Sequence, residues 1–335
     1  LKQYGPSKEH RPNPIVEMGL FMDMSGIPLA FCIHPGNTNE QTTLIPLEKQ
    51  IMRDFSLSRF IVCTDAGLSS EQNRKFNNFG GRCFITTQSI KTLKKSLRQW
   101  CLDPTGWHLK GSDQTYNIRE LEDTEENRKK VFFKQLFVEG NDGKRDIDFD
   151  QTLIVTYSLK YRNYQSQIRS QQISRALKAI EKSPKRSGHH NQNDYRRFIK
   201  KTSVTEDGEC ADHTIYALDQ EAVEKESQYD GFYAVYTNLD DDPADIAAVN
   251  QGRWEIEESF RIMKTEFEAR PVYLKRDDRI KAHFTTCFIS LLIYRILERK
   301  LDKRFSCAEI IRTLREMRIT EVGTEGYVPS YTRTE

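Results

Sequence analysis

Asn250-Gln-Gly-Arg-Trp-Glu-Ile-Glu-Glu-Ser-Phe-Arg-Ile-Met-Lys-Thr-Glu-Phe267 carries more information than any other run of this chain. A helix start precedes it. Asp242 is a candidate N-cap, Pro243 suits the first helical position, and Asp245 adds negative charge to the first turn. Read as one continuous helix at about 100° per residue, Val249, Ile256, Phe260, Met263 and Phe267 gather into an apolar stripe facing a core. Arg253, Glu257 and Lys264 fall within roughly 40° of one another beside that stripe, with Asn250 and Arg261 at the margin. Glu255, Glu258 and Glu266 are expected to face water. Glu257 then stands at the border of the core between two cations, and a carboxylate held half out of water suits a metal site or a general base. A surface ion-pair ladder of little energetic weight explains the same spacing equally well.

The next informative run is Phe60-Ile-Val-Cys, wholly apolar and expected to be a strand buried on both faces. It ends in Thr64-Asp65-Ala66-Gly67. Asp65 is either a ligand at the carboxyl end of a buried strand, where open α/β sheets place their chemistry, or a turn former. Before it come strands over 15–22 and 27–33, joined at Asp23-Met-Ser-Gly26, and a helix over 43–54 spaced by Leu44, Leu47 and Ile51. After it come a helix over 69–79 and a strand over 82–87. Asp23 sits in a hairpin turn, where Asp serves the backbone, so it is rejected as a catalytic acid.

With 335 residues, 37% hydrophobic and 30% charged, the chain reads as globular, of one large or two ordinary domains. The net charge of +2 confines any polyanion-binding surface to a local patch. Seven scattered cysteines (32, 63, 83, 101, 210, 287 and 307) without a C-x2-C pair point to free thiols in a reducing compartment. The apolar run from Phe284 to Ile296 is shorter than the roughly 20 residues a bilayer needs and contains Arg295, so it reads as a core helix.

Between 90 and 230 the pattern changes. Strands are expected over 131–138 and 151–157, a turn at Gly140–Gly143, and a basic helical stretch from Tyr157 to Thr202. The stretch carries Lys160, Arg162, Arg169, Arg175, Lys178, Lys182, Lys185 and Arg186, with Tyr157, Tyr161 and Tyr164 interleaved. Such a surface suits phosphate contacts and base stacking; a solvated helix face explains the charge run as well. His189 and His190 lack partners at ligand spacing, and His283 reads as a core histidine. A strand over 232–237, a closing helix over 281–301 and an irregular end after Glu321 complete the chain.

Arg253, Glu257 and Lys264, spaced R-x3-E-x6-K, resemble the signature of DDE insertion-sequence transposases of the cut-and-paste branch. The signature opens with a Tyr three residues before the Arg, where this chain has Asn250. The resemblance covers nearly the whole chain. It implies an α/β fold, a ribonuclease-H-like mixed sheet with helices on both faces interrupted by a long, mainly β insertion. Residues 1–89 and 231–335 then form the catalytic core, and 90–230 the insertion. It further implies Asp65 and Glu257 as ligands of Mg2+ or Mn2+, and Arg253 and Lys264 as catalytic contacts to the DNA backbone. Asn250, Arg261, Lys160, Arg162, Arg169 and Arg175 are the expected DNA-binding residues.

The implied partners are double-stranded DNA, at transposon ends and target, and a second copy of the chain in a homodimer on DNA, with no membrane. The implied place is the bacterial cytoplasm, on the nucleoid when DNA is bound. Family members carry a first catalytic Asp on a strand that precedes Leu1, so this chain is expected to be a fragment that binds metal poorly and does not cleave DNA. Robust Mg2+-dependent nicking by residues 1–335 would refute that. A structure-specific nuclease of the same fold, or a non-catalytic DNA-binding relic, are the other readings.

Overall fold

The computed structural model describes residues 1–5, 13–57, 60–140, 148–182, 194–204, 213–323 and 326–331. Lys185, Arg186, His189, His190 and the turn residues 141–143 lie outside them. In chain order the elements are β1 (Val16–Met22), β2 (Pro28–Pro35), α1 (Leu44–Asp54), β3 (Phe60–Thr64), α2 (Glu71–Phe76), β4 (Arg82–Thr87), α3 (Lys95–Leu102) and α4 (Glu125–Lys129). Then follow β5 (Phe132–Val138), β6 (Gln151–Tyr157), α5 (Leu159–Lys182), β7 (Ile199–Val204), β8 (His213–Leu218), α6 (Gln220–Ser227) and β9 (Phe232–Thr237). The chain closes with α7 (Pro243–Gln251), α8 (Trp254–Thr265), α9 (Asp277–Lys300), α10 (Cys307–Glu316), β10 (Ile319–Val322) and β11 (Gly326–Pro329). The fold is mixed α/β. It divides into two compact units, residues 1–60 with 249–335, and residues 61–248.

In the second unit a five-stranded sheet runs β3-β4-β9-β6-β5. The pairs β4·β9, β9·β6 and β6·β5 are antiparallel. Interior strand β6 is buried along most of its length because both faces are covered, with Leu153, Ile154 and Val155 almost fully buried. β5 and β6, read from sequence as part of an insertion, therefore share a sheet with β3 and β4. β3 itself is an edge strand: Val62 is buried, but Ile61 is exposed, correcting the expectation of burial on both faces. Trp107 is fully buried, with ring centroids 6.0 Å from Tyr157 and 5.8 Å from Phe232, and its indole N–H donates to the Asp103 carbonyl at 2.9 Å.

Lys134 of β5 is buried beside this cluster. Its ammonium lies 4.7 Å from the rings of both Trp100 and Trp107 and donates to the Trp100 and Asp103 carbonyls. These are carbonyls at the end of α3; the Trp100 oxygen also accepts the Asp103 amide at 3.3 Å, and the lysine adds a second donor there. Burial pushes Lys134 down to about 8. Above that pH the unfolded chain still holds the proton that the folded chain has released, so the contribution of Lys134 to stability rises with pH up to the ordinary lysine value. The stability of the native chain relative to Lys134→Met is expected to increase by about 1 kcal/mol between about pH 7.5 and 9. Urea denaturation at the two pH values reads it, and thiol ionisation cancels between the two chains.

In the first unit β1 and β2 form an antiparallel hairpin. Asp23 Oδ1 accepts the Ser25 and Ile27 amides at 2.9 and 2.8 Å, and Gly26, at φ +83°, supplies the left-handed turn residue. Asp23 thus serves its own turn, as expected. Helix α9 buries Ile280, Phe284, Cys287, Leu291, Tyr294 and Glu298, alternating four and three residues apart, along one side. Leu291 and Tyr294 join Ile262, Met263, Ala269 and Ile310 in the core, against which Met18 and Leu20 of β1 also pack. By length and composition α9 is the one helix among the described residues that is apolar enough to cross a membrane. The end read as irregular after Glu321 forms the short exposed hairpin β10–β11.

Candidate active site

Asp65 follows β3 directly. Its backbone is extended, its Oδ1 accepts the Leu68 amide at 3.2 Å, and the side chain is exposed. The preceding Thr64 is buried and its hydroxyl meets that of Thr86 at 2.9 Å, which ties the end of β3 to β4. Asp65 therefore caps a turn and also presents a carboxylate to solvent beyond the strand. The two readings of this residue are compatible.

The helix expected to run through to Phe267 is two helices. Asp242 Oδ1 accepts the Ala244 amide at 2.8 Å at the start of α7, as expected, but the chain tightens at Gly252 and Arg253 before α8 begins. Gly252 and Arg253 donate to carbonyls three residues back, and so do Glu255 and Ile256. Glycine is the weakest helix former after proline. Counting 100° per residue across it misplaced the faces. The buried residues of α8 are Ser259, Ile262 and Met263, and Ile256 and Phe260 are only half-buried.

Two expectations change in consequence. Glu257 is not at the border of the core; it is exposed on the side of α8 opposite Ser259 and Ile262. Glu255 and Glu258, expected to face water, face inward. Glu255 Oε1 accepts Lys303 at 2.8 Å, and a Cβ at Gly26 would collide with its carboxylate. Glu258 lies 3.4 Å from the buried guanidinium of Arg295. The row itself survives. Arg253 is half-buried, and Glu257, Arg261 and Lys264 are exposed along one face of α8. Arg261 reaches Glu258 at 3.2 Å, and the Lys264 ammonium lies 5.8 Å from the Phe260 ring. Asn250 is 3% exposed, which gives its side chain no surface on which to meet a phosphate.

Helix α5 accounts for the basic stretch as far as Lys182, and its cations fall into two groups. Arg169 forms a two-pronged, largely buried pair with Asp230, one prong at 2.6 Å. Arg162 meets Asp123 at 3.3 Å. The Arg169 charge is thus compensated in a largely buried pair, which corrects its expected role as a phosphate contact; the Arg162 pair lies at the surface. Lys160, Arg175, Lys178 and Lys182 are exposed, and Tyr161 and Tyr164 stack with centroids 6.4 Å apart at the surface.

Among the described residues no three His, Cys, Asp or Glu side chains are grouped as for a metal ion. Asp65 belongs to one compact unit and Glu257 to the other. Both are exposed carboxylates, and hard oxygen donors of that kind fit Mg2+ or Mn2+ rather than a soft cation. Sequence reasoning missed Arg295, Ser259 and Lys134. The signal for Arg295 was present as an arginine inside an apolar helix.

Residues 17–293 match the family described as the transposase DDE domain. The chain belongs to that family. No curated protein and no solved structure matches it.

Proposed function

We propose that the chain is the catalytic part of a DDE transposase that cuts double-stranded DNA at the ends of an insertion sequence and joins them to a target. The observation that carries this is the row of Glu257 and Lys264 on the exposed side of α8 with half-buried Arg253 at its cap, in a chain of the transposase family. Asp65 and Glu257 would each supply a carboxylate ligand to Mg2+ or Mn2+. When bound, such ions activate a water or a 3′-hydroxyl and stabilise the leaving oxygen of an in-line displacement. Arg253 and Lys264 would hold the DNA backbone and offset the charge that develops on the phosphoryl oxygens. In this reading the core is ribonuclease-H-like, residues 90–230 are inserted between its two parts, and the chain acts as a homodimer on the nucleoid.

The test uses the shortest length of the protein that moves a marked copy of its own element in cells. With Fe2+ in place of Mg2+ and peroxide added, the backbone is expected to break near 65 and near 257. Asp65→Asn and Glu257→Gln should each suppress the break at their own position. Breaks elsewhere, or breaks indifferent to both substitutions, would remove the chemistry from these residues.

Lys160 and Arg175 are the α5 cations proposed to meet phosphates. Each phosphate contact contributes about 0.9 to the slope of log affinity against log salt. The double variant Lys160→Ala, Arg175→Ala is expected to lower that slope by about 2 and to leave folding intact, read by DNA binding over a KCl series.

A further inference from the structure

Arg295 is the residue of the first unit that departs most from its surroundings. It sits in the apolar helix α9 and is 2% exposed. Its Nε and Nη2 donate to Ser259 Oγ at 3.2 and 2.8 Å, Nη2 donates to the Glu255 carbonyl at 3.1 Å, and Nη1 donates to Glu298 at 2.7 Å. Glu258 Oε2 lies 3.4 Å from both Nη1 and Nη2. Glu298 is itself held by the Tyr294 hydroxyl at 2.7 Å. The planar fork is therefore committed in every direction.

Three of its four partners, Glu255, Glu258 and Ser259, belong to α8, and they bracket Glu257 in sequence while facing the other way. The start of α8 is otherwise held by Glu255, which meets Lys303 at 2.8 Å, and lacks a side-chain cap. Arg253 occupies the cap position in helical conformation, with no side-chain bond to the first turn, directly after the bend at Gly252. A helix entered in this way has its rotation about its axis set by tertiary contacts rather than by a cap. A guanidinium that grips a first-turn carbonyl and a hydroxyl one turn on sets both rotation and axial position. A functional site tolerates displacements of roughly 0.5 Å. With the end of a glutamate side chain several ångströms from the axis, a turn of about 10° already exceeds that.

We infer that Arg295 is a positioning residue for Glu257, acting through the back of α8. This rests on Glu257 being a metal ligand. Arg295→Lys keeps the charge and loses the fork; Ser259→Ala removes one acceptor on α8 and little else. Both are compared with the native protein and with Glu257→Gln, in the transposition-competent length. Thermal unfolding, the Mg2+ concentration for half-maximal DNA cleavage and the Fe2+-directed backbone break are measured for each.

Arg295→Lys is expected to fold, to need at least tenfold more Mg2+, and to weaken the break near 257 while keeping that near 65. Ser259→Ala should shift the Mg2+ demand the same way by a smaller factor. A folded Arg295→Lys with native Mg2+ demand and native breaks, beside an inactive Glu257→Gln, overturns the inference alone. A fully active Glu257→Gln overturns the metal-ligand reading and the inference with it. Should Arg295→Lys fail to fold, Ser259→Ala decides, and an unshifted Mg2+ demand there overturns the inference.

Discussion

Glu257→Ala, in the transposition-competent length, is expected to lower Mg2+-dependent strand cleavage and joining on the order of 10³-fold, the equivalent of about 4 kcal/mol of transition-state stabilisation. The same change should leave stability within about 0.5 kcal/mol of native, because the side chain is exposed on the face of α8 that makes no core contact. The two measurements belong together. Loss of activity with unchanged unfolding and unchanged DNA affinity assigns the acid to chemistry. Full activity in the variant would remove Glu257 from the chemistry, and absence of cleavage by the native chain would leave it a DNA-binding relic. Joining of a labelled 3′-hydroxyl end to target DNA, followed in parallel, separates a transposase from a nuclease of the same fold.

Trp107→Ala is expected to have the largest effect on folding, a loss of about 3–5 kcal/mol. The indole is fully buried, packs on Tyr157 and Phe232, and bonds the Asp103 carbonyl. Its removal opens a cavity and also strips one ring from the cage around Lys134. Urea denaturation followed by the fluorescence of the remaining tryptophans reads the change. A loss under about 1 kcal/mol would mean that the surrounding residues close over the space.

The strands were the most legible part of the sequence. Runs such as Gln151–Tyr157 and Phe232–Thr237 are rich in β-branched and aromatic residues and stand where they were expected. Their partners were not legible, since the order β3-β4-β9-β6-β5 joins segments far apart along the chain. In the candidate site, Arg253, Glu257 and Lys264 still share one face because they run from the cap of α8 along that helix. The direction that helix faces was misread. Gly252 offered a local warning of a break, but the inward turn of Glu255 and Glu258 depends on Lys303 and Arg295, residues 48 and 37 positions away. A long-range partner of that kind leaves no periodic trace. The same holds for α5, where Asp230 takes Arg169 out of a run of cations that looks uniform in sequence.

The outward position of Glu257 has a bearing on inheritance. No part of the core is built on this side chain, so an allele altered there is expected to yield an intact protein. On the proposed function, such a product in a cell that also makes the unaltered chain would compete for the same ends and enter mixed pairs. The altered gene would act as a dominant brake on the spread of its own element.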